Sequence, residues 1–216
     1  MSLKSRFSNQ DLDRIKAAVF SAESKISGEI VPVFVESSGS YTIANYRGAL
    51  IASITAFLAI IFLDTYVPAY AVYDPLMILI LTLFAGLVGS AAASYIPFVK
   101  RILLNQAHLD LATRARAERA FLEQEIFFTK DRTGILIFVS FFEHEVIVMA
   151  DKGISKVVEQ REWDSLVRIV IEGIRMNKLI DGLEAAIKRS GEILLEKGFV
   201  RAEDDINELG DDLRIE

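Results

Sequence analysis

Three carboxylates stand where the chain enters or leaves its extended apolar runs: Glu29, Asp131 and Asp151. Glu29 opens EIVPVFVE (Glu29–Glu36). Asp131 begins the turn Asp131-Arg132-Thr133-Gly134 ahead of ILIFVSF (Ile135–Phe141), and Asp151 follows EVIVMA (Glu145–Ala150). The last two runs are separated by little more than Phe142-Glu143-His144 and read as a β-hairpin, which brings Asp131 and Asp151 to the same end of a sheet. Oxygen ligands from separate segments suit calcium or magnesium rather than zinc, because calcium accepts irregular oxygen cages. The same residues have a plainer use. An Asp beside a Gly serves turn chemistry through its own side chain, and a Glu at a strand end can simply be solvated. Arg132 fits a phosphate or an Asp–Arg turn pair.

The remaining inventory narrows the chemistry. Cysteine is absent, which excludes disulfides and Cys-ligated zinc or iron–sulfur sites. Only His108 and His144 are present, too few for a multi-histidine metal centre, and no P-loop or GxSxG elbow occurs. His144 belongs to the hairpin turn, where exposure is the plainer reading. The net charge is −6 and no basic stripe stands out, which argues against a nucleic-acid partner.

The stretch that must organise these residues is Gly48–Val99. Gly48–Leu63 runs 16 residues without a charge, near the lower limit for a spanning helix, and Pro75–Val99 runs 25, enough to span a bilayer with some tilt. The break between them, DTYVPAYAVYD (Asp64–Asp74), carries Tyr66, Tyr70 and Tyr73, while Tyr41, Tyr46 and Tyr95 flank the runs. Aromatics at both water boundaries are the pattern of a bilayer span. A pair of buried core helices would carry a polar stripe, and neither run has one. Gly86, Gly89 and Ser90–Ser94 form a small-residue face for close helix contact, within the hairpin or with another copy. Arg47, Lys100 and Arg101 flank the runs, and the break has no Lys or Arg. The positive-inside rule therefore predicts both termini in the cytoplasm. MSLKSRFSNQDLDRIK lacks the apolar core of a cleaved signal peptide.

The rest reads as one α/β domain split by the hairpin: residues 1–47 and 100–200, with 48–99 as the insertion and 201–216 as an acidic tail. Ser8 and Asp11 have capping-box spacing, Leu12, Ile15, Val19 and Phe20 recur at helical intervals, and Gly28 marks a stop. Pro32 places the Glu29–Glu36 strand at an edge or bulge. Asn105–Glu125 has no breaker and reads as a continuation of the second spanning helix, kinked at Pro97, with Leu109, Ala112, Phe121 and Leu122 toward the domain. The hairpin strands are apolar at nearly every position, so helices should cover both faces of the sheet. Trp163, Leu166, Val167, Val170, Ile171 and Ile174 mark an amphipathic helix with Trp163 in the core. Leu179–Leu194 marks another, ended by Gly198. The tail is expected to be largely mobile, with Leu209 or Leu213 docking.

With these residues placed, the chain resembles the TPM-domain family, also described as TPM phosphatases. The resemblance rests on FSNQDLDRIKAAVFSAESKISGEIVPVFV, on TKDRTGILIFVSFFEHEVIVMADKGI, on the helix with Trp163, and on INELGDDL, a variant of an Asn-Glu-Leu-Pro-Asp ending with Gly210 in place of proline. It covers roughly Phe7–Ser38 and Gln106–Leu213. It implies an αβα sandwich, and it implies either acid phosphatase activity or a calcium-binding or accessory role beside membrane complexes. Many relatives carry the domain outside the cytoplasm behind a signal peptide, whereas this chain has an internal hairpin. The reading that follows is a membrane-anchored TPM-like binding module. Its partners would be the lipid bilayer and a membrane protein or second copy, and calcium or magnesium would sit at Glu29, Asp131 and Asp151. A metal-dependent acid phosphatase is the alternative.

Overall fold

Ser8 starts the first helix, α1 (Asn9–Glu23), through the reciprocal capping box: its hydroxyl accepts from Asp11 N, and the Asp11 carboxylate accepts from Ser8 N. The computed structural model describes residues 3–67, 72, 74–202 and 207–216. Tyr70, Tyr73 and the acidic run Glu203–Asp205 lie outside the described residues. The chain forms two compact units, one of Met1–Ser38 with Leu111–Glu216 and one of Gly39–Asp110.

The first unit is mixed α/β. Its sheet has the order β3-β2-β1-β4, from β1 (Glu29–Val35), β2 (Gly134–Ser140), β3 (Glu145–Ala150) and β4 (Arg214–Ile215). β2 and β3 form the expected antiparallel hairpin, and β1 runs parallel to both β2 and β4. Alternation along the strands divides the core. Ile30 and Phe34 of β1, with Ile135, Ile137 and Val139 of β2, pack under α1, α7 (Gln160–Arg175) and α8 (Leu179–Glu196). Val31, Val33, Val35, Leu136 and Phe138 face Ala117 and Ala120 of α5 (Gln106–Glu123) and Ile126. Every residue of β1 and β2 is buried, as strands covered on both faces must be. Trp163 lies in the first of these clusters, and Gly198 follows α8 with a left-handed φ of 89°. Gly173 of α7 and Gly182 of α8 let those two backbones meet: a Cβ on Gly173 would stand 2.7 Å from the Gly182 Cα.

Four expectations change in this unit. Pro32 does not mark an edge: β1 lies between β2 and β4. The reason is strand alternation. Glu29 N bonds to Thr133 and Val35 O accepts from Phe141, so odd-numbered residues of β1 point their backbone groups at β2. Pro32, like Ile30 and Phe34, points at the other side, where β4 pairs only with Val33 and Phe34; the missing N–H costs no bond to β2. The tail docks as expected through Leu209 and Leu213, which pack on opposite faces of the sheet, and its described end adds a strand that was not expected, β4 at Arg214–Ile215. Finally, α1 ends at Glu23, ahead of Gly28, and Leu122 is exposed while Phe121 packs inward.

The second unit holds α2 (Ile43–Tyr66) and α3 (Pro75–Tyr95), both long and apolar enough to cross a membrane. Their outer side chains, among them Leu50, Ile54, Leu58, Leu83 and Leu87, are exposed. The small-residue face is used within the hairpin. A Cβ on Gly48 would stand 2.6 Å from the Gly89 carbonyl oxygen, one on Gly89 would overlap the Gly48 carbonyl, and one on Gly86 would reach Ser53 Oγ at 2.5 Å. Asp74 caps α3, accepting from Leu76 N at 2.7 Å, with Pro75 in the first helical position. The second span does not continue into the following helix. Pro97 forces Ile96 into an extended conformation (φ −108°, ψ 103°), a short α4 (Pro97–Ile102) starts at the proline, and a second break precedes Gln106.

Candidate carboxylate site at one end of the sheet

The parallel register Glu29↔Gly134 and the antiparallel register Ile135↔Ala150 bring the start of β1, the start of β2 and the end of β3 together. Asp151 N donates to Gly134 O at 2.9 Å, and Gly153 N to Arg132 O at 3.0 Å. Glu29, the Asp131 turn and Asp151 therefore share one end of the sheet, as the hairpin geometry predicts for the two aspartates. Their side chains take separate tasks.

Asp151 is 4 % exposed and accepts from Arg132 Nε at 2.5 Å and Nη2 at 3.0 Å, and from Lys152 N at 2.7 Å. It thereby caps α6 (Lys152–Ser155). Burial alone would push its carboxyl up; the Arg132 guanidinium and the Lys152 N–H outweigh it and hold the carboxyl below its ordinary value. Glu29 is buried and accepts from Glu208 N at 3.1 Å and Leu209 N at 3.3 Å, so it clamps the tail. Asp131 is exposed at the turn. Among the described residues no group of three or more His, Asp or Glu side chains is arranged to hold a metal ion. The trio Glu29, Asp131 and Asp151 shares a sheet end without converging on a point.

Further charge at this end comes from Glu23, Asp211 and Arg214, which sequence reasoning passed over. Glu23 lies on the inner stripe of α1, four residues past Val19 and eight past Ile15, and is 7 % exposed. A Glu on an apolar stripe was the available signal. Its Oε1 accepts from Ile30 N at 2.7 Å, satisfying a strand amide that has no neighbour on that side. Its Oε2 is buried with no hydrogen-bond partner among the described residues. Burial pushes the Glu23 carboxyl up to about 9; the Ile30 N–H opposes this, and the carboxylates of Glu29 and Asp211 add to it. Asp211, also buried, accepts from Asn207 Nδ2. Arg214 of β4 donates to Gln124 Oε1, Gly210 O and Asp212 O, and burial lowers its guanidinium despite the nearby carboxylates. The cavity beside Glu23 and Glu29 measures 40 Å³, room for water but well below the several hundred Å³ of small-molecule pockets. This arrangement can hold a proton and a tail.

A further buried carboxylate sits at the opposite end of the sheet. Glu143 accepts from Ser140 Oγ, from Ser38 N at 2.9 Å and from Ser37 Oγ at 3.3 Å, tying the end of β1 to the hairpin turn. His144 beside it is exposed, with a left-handed φ of 57°.

These features define a mixed α/β module whose chain is interrupted by an apolar helical hairpin. No family model matches the chain, and no curated protein matches it. Among solved structures it is similar to the NMR structure of the BA42 protein from the psychrophilic bacterium Bizionia argentinensis, with a TM-score of 0.60 and 18 % identity over 100 % of this chain and 99 % of that one. At that identity the likeness is one of fold.

The Asp151 geometry makes a direct prediction. Asp151→Asn should lower stability by about 1–3 kcal/mol, because Arg132 loses its charged acceptor while the cap to Lys152 N survives. Thermal unfolding followed through Trp163 fluorescence should show the same loss in millimolar calcium and in EDTA. A loss that appears only with calcium would give Asp151 a metal instead of Arg132.

Proposed function

We propose that the chain is a membrane-anchored, TPM-like binding or accessory module, with both termini and the α/β unit in the cytoplasm. The observation that carries this reading is the α2–α3 hairpin: two helices of spanning length, packed on each other through Gly48, Gly86 and Gly89 and apolar on their exposed sides. The orientation follows from Arg47, Lys100 and Arg101 at one end against Asp64 and Asp74 at the other. Binding rather than catalysis is favoured because the buried carboxylates are engaged in holding the fold. Asp151 pairs with Arg132, Glu29 clamps the tail, and Glu143 joins two loops.

The natural chain lacks cysteine, so single cysteines at Ser2 and Thr65 report topology on a clean background. An impermeant thiol reagent applied to intact cells should label position 65 and spare position 2. The opposite pattern reverses the orientation, and release of the protein by alkaline carbonate rejects the spans. Metal-dependent phosphate release from a generic phosphomonoester by the purified protein would replace the binding reading with a phosphatase.

A further inference from the structure

We propose that the end of the hairpin bearing α4 is a recognition surface for anionic phospholipid. This inference rests on the membrane reading above and names the lipid class. After α3 ends at Tyr95, the chain turns at Ile96 and runs through α4, about 9 Å of helix. Tyr95, Phe98 and Ile102 are 85 %, 73 % and 66 % exposed, while Lys100 and Arg101 occupy the last turn of the same short helix. Arg47, near the start of α2, donates from Nη1 to Leu103 O at 2.7 Å. That bond ties the beginning of one candidate span to the segment following the other, and collects three cations at one end of the hairpin.

The occupant must satisfy both halves of this surface. Aromatic and aliphatic side chains exposed next to a spanning segment lie at headgroup depth, where one side is hydrocarbon and the other is wet. Lys and Arg there pair with phosphate oxygens, and the C-terminal end of α3 favours positive charge nearby. A free phosphate would engage the cations and leave Phe98 and Ile102 in water. A neutral lipid would cover those side chains but offer no net charge. An anionic phospholipid does both. The opposite end of the hairpin has Asp64 and Asp74 and would repel it, so the preference should also favour one orientation of the chain in an anionic leaflet.

The test uses the full chain in neutral detergent, titrated with fluorescent phosphatidylglycerol and fluorescent phosphatidylcholine in mixed micelles. Phosphatidylglycerol should bind at least about 25-fold more tightly at low salt, and Lys100→Gln with Arg101→Gln should weaken it roughly fivefold per cation removed while leaving phosphatidylcholine unchanged. The preference should also fade in wild type as salt rises, since exposed charges are screened. That series needs no variant and decides the matter if the double variant does not fold. Equal binding of the two lipids, or a preference indifferent to salt, overturns the inference and leaves the spans intact. Displacement of the probe by millimolar glycerol phosphate overturns it in favour of a free-phosphate site. If neither lipid binds and carbonate releases the protein from membranes, this inference and the membrane reading fall together.

Discussion

Gly89→Leu should separate α2 from α3, at a cost on the order of 3 kcal/mol or more. The effect is large because the space is occupied by main chain. A Cβ at position 89 would overlap the Gly48 carbonyl and meet Ala52, and neither helix can swing a backbone aside as it would a flexible side chain. The nearby contact of Ser53 Oγ with Thr82 O, at 3.2 Å, should be lost as well. The comparison is Val88→Leu, one residue away on the exposed side, which should be close to neutral. Both variants are measured in detergent by thermal unfolding and by short-range cross-linking between cysteines placed on α2 and α3. Native stability and cross-linking in Gly89→Leu would mean that the helices do not meet through Gly48 and Gly89. Because this face is filled within one chain, a second copy would have to dock elsewhere on the hairpin.

Glu23→Gln should make the protein more stable at pH 8, by about 1–3 kcal/mol, and should flatten its pH profile. The sign follows from proton binding. The unfolded carboxyl titrates near its ordinary value of 4.5, whereas the folded one is raised to about 9. Between those values the folded state holds a proton that the unfolded state has released, so wild-type stability falls as pH rises through this range. Above the folded value both states are ionised and the loss is complete; below 4.5 both are protonated and the variant should match wild type. Glutamine keeps an acceptor for Ile30 N and carries no charge beside Glu29 and Asp211. Glu23→Ala is the contrasting variant. It strands the Ile30 amide and should be less stable than Glu23→Gln at every pH. Unfolding monitored by Trp163 fluorescence at pH 5, 7 and 9 reads all three proteins. Parallel profiles for wild type and Glu23→Gln would show that Glu23 is ionised in the folded state.

Local chemistry accounts for what was legible in the residues themselves. The capping box of Ser8 and Asp11 spans one helical turn, the β2–β3 hairpin closes over a few residues, and Gly198 follows the helix it terminates. The length and uniform apolarity of α2 and α3 are likewise properties of contiguous chain. Composition and position also sufficed to bring Asp131 and Asp151 to one sheet end. What those carboxylates do there was decided by distant partners. β1 and β2 pair in parallel although the entire hairpin unit lies between them in sequence, and no short-range signal encodes that register. The register turns the vacant nitrogen of Pro32 away from β2, letting a proline occupy an interior strand. It also sets Ile30 N against Glu23, and the returning tail sets Glu208 and Leu209 N–H on Glu29 and brings Asp211 near Glu23. A carboxylate's environment is the sum of burial and charges converging from α1, β1 and the tail, so a helix-stripe glutamate became a strongly perturbed acid only once the chain had closed on itself.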